Sequence, residues 1–295
     1  MNSLIKTFED YLKNTKKVSA NTIVSYVRDV SDFNRYLCSN FENTNLTKCT
    51  DEDLYLYISY LTSHGKASST ITRTLASIRS FFSFLITKKI ISENPANTVR
   101  CEKKKKTLPR ILTNKEVDLF LNQPKCDSLK GYRDKAMLEL LYATGIRVSE
   151  LISLNVKDIN LELGLIKCGK DNTERLIPLY AVAISAITNY LELARPFLLS
   201  DAADAALFVN LNGERMTRQG FWKIIKRYGE AAGIPTEITP NVLRHSFATH
   251  LLENGADIMS IKEMMGHSDV SSTLIYTQLI KSDLRNTYAK YHPRA

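Results

Sequence analysis

Long hydrophobic segments and paired cysteines are missing from this chain of 295 residues. No apolar run approaches the roughly 18 residues that a membrane-spanning helix needs, and the first residues lack the apolar core of a signal peptide. The five cysteines are scattered and none are spaced C-x-x-C, which argues against a disulfide framework or a zinc site. We therefore expect a cytoplasmic protein that has no membrane partner and needs no cofactor.

Patterns of metal ligands are missing as well. The nearest pair of carboxylates, Asp201 and Asp204, is interpreted as part of a loop, whereas metal-assisted hydrolysis needs clustered carboxylates. Most of the histidines lie near the C-terminus, but His245 and His250 are five positions apart and do not share a helix face. We interpret these two histidines as structural or solvent-facing.

Positive charge is concentrated in one part of the chain. The net charge is +9, of which residues 1–100 carry +4, residues 101–112 carry +4 and the remainder carries +1. The middle segment contains a run of four candidate DNA-binding lysines: Lys103, Lys104, Lys105 and Lys106. Such a run indicates either a polyanion partner, whose phosphates replace condensed counterions on binding, or a solvated linker.

The first hundred residues have the spacing of amphipathic helices. Apolar residues recur every three or four positions in four successive stripes, and Thr50 to Asp53 is the capping-box start of the third helix. Four helices of this length predict a small bundle over residues 1–95. A break at Asn94-Pro95, the lysine run and Leu108-Pro109 then predict a linker over residues 96–111.

Residues 112–295 are predicted to form a second, mostly helical domain. It begins with a capping box at Thr113 to Glu116, and its first long helix, at about 131–143, ends before Gly145. A polar turn between two short apolar segments predicts a β-hairpin with Lys170 at its tip. Further helices are expected at about 180–197, 216–232, 241–254, 257–265 and 271–280. We thus expect a mainly α protein with one small antiparallel sheet.

Two arginines stand out in this domain. Arg147 directly follows Gly145-Ile146 at the boundary between two helices, where a guanidinium can grip phosphate oxygens or simply pair with Glu150. Arg244 lies on an otherwise apolar helix turn, so it is expected to face either a buried acid or a ligand.

Three further side chains give no functional signal when each is considered alone. Lys170 at a turn is usually solvated, His267 at a helix end can serve as a cap, and Tyr276 is one of 14 tyrosines. Together with Arg147 and Arg244 they form a set with a defined chemistry. Two arginines stabilise charge on a phosphoryl group, a lysine or histidine moves a proton, and a tyrosine attacks as nucleophile.

The motifs that hold these residues resemble the tyrosine recombinase (phage integrase) family. They are Thr144-Gly-Ile-Arg-Val-Ser-Glu-Leu151, Gly169-Lys-Asp-Asn-Thr-Glu-Arg175, Leu243-Arg-His-Ser-Phe-Ala-Thr-His-Leu-Leu252, Met265-Gly-His-Ser268 and Ile275-Tyr-Thr277, in the family's order and spacing over essentially the whole chain. The closing Tyr291-His-Pro-Arg-Ala295 and the length resemble the Xer branch of this family.

The resemblance implies a fold and a set of roles. The first domain would be a SAM-like, core-binding bundle that binds DNA, and the second would be the catalytic domain. Arg147 and Arg244 would clamp the phosphate, with Glu150 supporting the first arginine. Lys170 would be the general acid, His267 would contact the phosphate, and Tyr276 would form a 3′-phosphotyrosine bond to DNA.

One position departs from the family pattern. The family's H-x-x-R motif reads Asn241-Val-Leu-Arg244 here. An amide can hydrogen-bond a phosphate oxygen but cannot accept a proton near pH 7, and His245 points to a different side of the helix. The proton acceptor for Tyr276 therefore stays open, and a catalytically weak DNA-binding member is an alternative.

The resemblance also implies partners. We expect a double-stranded recombination site of dif type, and further recombinase subunits, XerC-like or identical, in a tetrameric synapse that resolves chromosome dimers. A DNA translocase is a further expected partner. The tail from Lys281 would dock on a neighbouring subunit or pack on its own domain. An integrase or transposase of a mobile element is the alternative enzyme.

Overall fold

The structure is a computed structural model that describes residues 3–41, 45–101, 109–169, 173–199, 205–266 and 273. The chain divides into two compact units, Met1–Lys106 and Thr107–Ala295. Among the described residues, no helix combines the length and the apolar character needed to cross a bilayer. The predicted boundaries at residues 95 and 112 stay predictions.

The first unit consists of helices in its described part. They are α1 (Ser3–Asn14), α2 (Ala20–Asn40), α3 (Asp51–Ser63) and α4 (Ser68–Thr87). Side-chain caps fix two of the starts: the Ser19 hydroxyl accepts from the Thr22 N–H, and Thr50 and Asp53 form the predicted capping box. The four-helix bundle expected from the apolar stripes is confirmed.

Aromatic rings fill the centre of this bundle. Phe8 on α1 packs edge-on against Phe81 on α4, with the ring centroids 5.2 Å apart. The chain after α4 also packs here, since Ala96 and Val99 are buried and their carbonyls accept hydrogen bonds from the Arg79 guanidinium. The start of the predicted linker is therefore part of the bundle core.

The second unit is mostly helical, with a short sheet in its first half. Its helices are α5 (Asn114–Leu121), α6 (Leu129–Thr144), α7 (Val148–Ser153), α8 (Ala181–Leu193), α9 (Arg195–Leu198), α10 (Arg218–Ala231), α11 (Pro240–Glu253) and α12 (Ile258–Met265). The capping box predicted at Thr113 and Glu116 opens α5. The helix predicted over 180–197 is divided at Ala194, because Pro196 lacks an N–H and cannot continue α8. The helix predicted at 271–280 lies outside the described residues.

The sheet contains the predicted hairpin and one additional strand. Strands β1 (Ile159–Asn160), β2 (Leu165–Cys168) and β3 (Arg175–Pro178) pair antiparallel in that order. In the hairpin, Ile166 lies opposite Ile177, and Cys168 lies opposite Arg175. A two-residue strand such as β1 is too short to show an alternating pattern, so the sequence did not predict it.

Helix α6 is the central element of the second unit. It packs against α8, α11 and α7, and it is buried along most of its length. Gly145 ends it with φ 57°, in the left-handed region. A Cβ at Gly145 would come within 2.3 Å of the Phe247 ring, so a glycine is needed where α6 meets α11. This tight turn places Arg147 at the start of α7.

Candidate active site

Arg147 lies at the N-cap of α7, with its guanidinium directed toward the end of α12. One guanidinium nitrogen donates to the carbonyl of Gly266 at 2.8 Å. The backbone N–H of Arg147 donates to Glu150 at 2.8 Å, and its side chain lies 3.7 Å from the same carboxylate. The side chain is 47% exposed, so it remains accessible to a ligand.

Glu150 is paired more closely with a different arginine. Arg175, the first residue of β3, donates to both carboxylate oxygens of Glu150, at 2.8 and 3.1 Å. Burial favours the neutral acid, but the hydrogen bonds from Arg175 and from the Arg147 N–H, with those two positive charges, lower the pKa of Glu150 below its ordinary value. Glu150 is therefore ionised at neutral pH.

Arg244 is buried on α11. Its guanidinium donates to the carbonyls of Gly145 and Met265, the latter at 2.7 Å. These two contacts are backbone carbonyls, and the buried acid or ligand that the sequence predicted as its partner stays a prediction. Both carbonyls lie at helix C-termini, where the partial negative charge of the helix favours a cation.

One cavity brings Arg147, Arg244 and Asn241 together. Its volume is about 790 Å³, and α10 and the start of α11 form part of its wall. Arg218 and Lys223 also line it, so four of its lining residues are cationic. Among the described residues that line this cavity, none is acidic. Such a surface suits an anion with several oxygens, such as a phosphodiester.

The two histidines of α11 have different surroundings. His250 is buried, and its ring nitrogens contact the Tyr142 hydroxyl and the Leu112 carbonyl, both at 2.8 Å. It joins α6, α11 and the start of the second unit, which agrees with a structural role. His245 is half-buried, and burial followed by the charge of Arg244 lowers its pKa below the ordinary value.

Several predicted site residues lie outside the described residues, so their assignment stays a prediction. They are the catalytic candidates Lys170, His267 and Tyr276, and the four candidate DNA-binding lysines, Lys103, Lys104, Lys105 and Lys106. The carboxylates Asp201 and Asp204 and the tail from Lys281 lie outside the described residues as well.

Sequence reasoning assigned no role to Arg175, Arg218 or Lys223. Arg175 is the last residue of the motif that begins at Gly169, so the motif itself contained the signal. Arg218 and Lys223 had no comparable signal, because a basic residue on a helix is usually solvated.

Comparison with known families covers both units. The description "Phage integrase family" matches residues 110–282, and "Phage integrase, N-terminal SAM-like domain" matches residues 5–89. The SAM-like match falls within the first unit, and the phage integrase match falls within the second unit.

Curated relatives match along the whole chain. A protein named Tyrosine recombinase XerD from Oceanobacillus iheyensis is 45% identical, covering 99% of this chain and 98% of its own. A protein of the same name from Staphylococcus epidermidis is 42% identical over 100% of both chains. These relatives confirm the resemblance to the Xer branch, and their shared name is XerD.

Solved structures of recombinases share the fold. The crystal structure of XerA recombinase is 28% identical with a TM-score of 0.57, covering 100% of this chain and 99% of its own. XerH site-specific recombinase bound to difH substrate, in a pre-cleavage complex, is 25% identical with a TM-score of 0.73, covering 96% of this chain and 83% of its own. This chain belongs to the phage integrase family of tyrosine recombinases, DNA strand-exchange enzymes that use a tyrosine nucleophile.

Proposed function

We propose that this site-specific recombinase cuts and rejoins DNA through a 3′-phosphotyrosine bond at Tyr276, with the reacting phosphate in the cavity between Arg147 and Arg244. The observation that carries the proposal is the convergence of these two arginines on a cavity whose described lining has four cationic side chains and no acidic one. A phosphoryl transition state spreads negative charge over its nonbridging oxygens, and fixed cations stabilise that charge.

The reaction follows from the chemistry of the proposed groups. The phenolic oxygen of Tyr276 attacks phosphorus and forms a phosphotyrosine bond, while the bond to the 5′ oxygen of the next nucleotide breaks. Lys170 protonates the departing alkoxide, and His267 hydrogen-bonds the phosphate. Attack by a 5′ hydroxyl reverses these steps and rejoins the strand. The phosphotyrosine conserves the energy of the broken bond, so rejoining needs no external energy.

Asn241 limits how the phenol loses its proton. It lines the cavity beside Arg244, where its amide can donate to a phosphate oxygen. The amide cannot accept a proton near neutral pH, so the proton of Tyr276 goes to another acceptor. A catalytically weak DNA-binding member is the second candidate, and this substitution is the observation that favours it.

The biological substrate is proposed from the relatives. Proteins named XerD match the whole chain, and one structural relative is described as bound to a difH substrate. We therefore propose a dif-type chromosomal site, a XerC-like or identical partner in a tetrameric synapse, and resolution of chromosome dimers in the cytoplasm. Activation by a DNA translocase belongs to the same proposal.

Trapping of the covalent intermediate tests this function. When a dif-type duplex carries a nick next to the cleavage position, attack by the tyrosine releases a short strand end. That end carries the 5′ hydroxyl needed for rejoining and diffuses away, so the adduct accumulates. We expect the wild-type chain to form an adduct that survives denaturation, and Tyr276→Phe to form none while still binding the duplex. Tyr132→Phe removes a phenol from the same unit that does not line the cavity, and it should leave the adduct yield unchanged.

Two outcomes would contradict the proposal. An adduct that persists in Tyr276→Phe would assign the nucleophile to another residue. Tight duplex binding with no adduct, with or without a XerC-like partner, would favour the DNA-binding alternative.

A further inference from the structure

Three consecutive carbonyls at the end of α12 each accept a hydrogen bond from a different arginine. Arg175 donates to Met264 at 2.7 Å, Arg244 donates to Met265 at 2.7 Å, and Arg147 donates to Gly266 at 2.8 Å. The last carbonyls of a helix have no partner within it and carry the negative end of its dipole. Three separate segments, β3, α11 and the start of α7, are thus joined at one helix end.

Arg175 differs from the other two arginines. Its side chain is only 7% exposed, and it is not among the residues that line the cavity. Beyond Met264, it binds both oxygens of Glu150, and Glu150 in turn accepts the Arg147 N–H. Arg175 therefore links the last turn of α12 to the first turn of α7, which holds Arg147.

Gly266 gives Arg175 the space that this arrangement requires. A Cβ at position 266 would lie 2.8 Å from the Arg175 guanidinium, closer than side chains pack. Gly266 also has φ 64°, which an L-residue adopts with strain. The glycine at this helix end therefore permits both the turn and the close approach of the guanidinium.

We infer that Arg175 is a positioning residue, which holds Arg147 and the end of α12 in the geometry that the reacting phosphate needs. This inference rests on the proposed function, in which Arg147 binds that phosphate. Arg175 does not touch the phosphate. It acts through three directed hydrogen bonds, to the two Glu150 oxygens and to Met264. A lysine can keep the charge but not this planar, three-bond arrangement.

The test compares Arg175→Lys with a matched control, Arg215→Lys. Arg215 is also partly buried and donates to the carbonyls of Ile152 and Leu154 and to Asn155. These contacts lie at the end of α7 that is away from Arg147, and Arg215 does not line the cavity. Duplex affinity and the first-order rate of adduct formation at saturating protein are measured for both variants. We expect Arg175→Lys to bind DNA within about threefold of wild type and to cleave roughly ten- to a hundredfold more slowly, because small misplacements cost rate. Arg215→Lys should change both values by less than about twofold.

A second pair of variants tests the contact between Arg175 and Gly266 by changing the glycine. Gly266→Ala forces a Cβ against Arg175, whereas Gly255→Ala adds one at φ 87° with nothing within 4 Å. Both substitutions strain the backbone, but only the first displaces the guanidinium. We expect slow cleavage with retained binding in Gly266→Ala, and near wild-type cleavage in Gly255→Ala.

A measurement without turnover separates this inference from the proposed function. The side-chain Nε–Hε resonances of Arg147 and Arg244 report their surroundings even in a chain that does not cut. We expect Arg175→Lys to shift or broaden them and Arg215→Lys to leave them in place. Unchanged resonances, wild-type cleavage by Arg175→Lys, or an equal loss of binding and cleavage would each overturn the positioning role. Failure of the wild-type chain to form an adduct would instead count against the proposed function.

Discussion

The two units stabilise their interiors in different ways. Within the described residues, the bundle core is aromatic and aliphatic, and its buried polar side chains are Asp29, Thr74 and Ser77. The second unit buries several charged groups as well, namely Arg133, Asp134, Glu139 and Arg244. Buried charge is costly unless it is paired. The second unit, which also holds the proposed phosphate clamp, therefore needs a partner for each of these buried charges.

The buried carboxylates of the two units, Asp29 and Asp134, differ in their partners. Asp29 on α2 accepts a hydrogen bond from Ser77 at 2.7 Å and pairs with Arg73, whose side chain is 35% exposed. Asp134 on α6 lies deeper, with no exposed area. It accepts hydrogen bonds from Arg133, Arg227 and Tyr228. Burial and then the Asp134 charge raise the pKa of Tyr228 to about 12, so the tyrosine stays neutral and can donate.

The largest predicted change in stability follows from breaking the Asp134 cluster. Asp134→Asn keeps the shape of the side chain but leaves the Arg133 charge buried without its counter-ion. Removing one partner of such a pair costs about 3–5 kcal/mol of unfolding free energy. Trp222 is the single tryptophan and lies on α10 in the second unit, so its fluorescence during urea unfolding follows that unit.

The matched control is an exposed pair in the bundle. Asp32 and Arg35 lie 3.2 Å apart on α2, with 46% and 76% of their side chains exposed. Asp32→Asn should cost about 0.5 kcal/mol or less, because solvent screens such pairs. The bundle has no tryptophan, so circular dichroism of its helices follows the unfolding of this variant. Equal costs at the two positions would contradict the contrast between the units.

A smaller effect is expected at the cavity surface, where Asn241 can be changed without breaking a buried contact. If the proton of Tyr276 lacks a nearby acceptor, Asn241→His supplies one and raises the rate of adduct formation by up to about a hundredfold, the lower end of general-base effects. The gain should disappear as the pH falls below the histidine pKa, ordinarily about 6.5. An unchanged or lower rate would show that the reaction does not use this position. Asn241→Gln, which adds no base, is the control.

The bundle could be predicted from the sequence because its stabilising contacts follow a local pattern. Apolar spacing identifies α1 to α4, and the caps at Thr50 and Thr113 identify the starts of α3 and α5. The hairpin and the turn at Gly145 were also visible, since polar turns and a left-handed glycine have local signals.

The network around the cavity could not be predicted in the same way. Arg175 reaches Met264, which is 89 positions along the chain, and Arg147 reaches Gly266, which is 119 positions away. No local pattern encodes such pairs, and the sequence alone suggested Arg147 as the partner of Glu150. The motifs identified Arg147 and Arg244 as candidates, but only the fold shows that both hold the end of α12.

The most direct test of the account asks whether Arg147 and Arg244 act on the charge of the reacting phosphate. The cleaved phosphate is replaced by a methylphosphonate, which has one nonbridging oxygen fewer and no charge. On the natural phosphate, Arg147→Ala and Arg244→Ala should each slow adduct formation by about 10²–10³-fold, as for loss of one oxyanion donor. On the neutral substrate the penalty should shrink by at least tenfold for each variant. A penalty of the same size on both substrates would contradict the account, because the arginines would then serve the fold and not the phosphate.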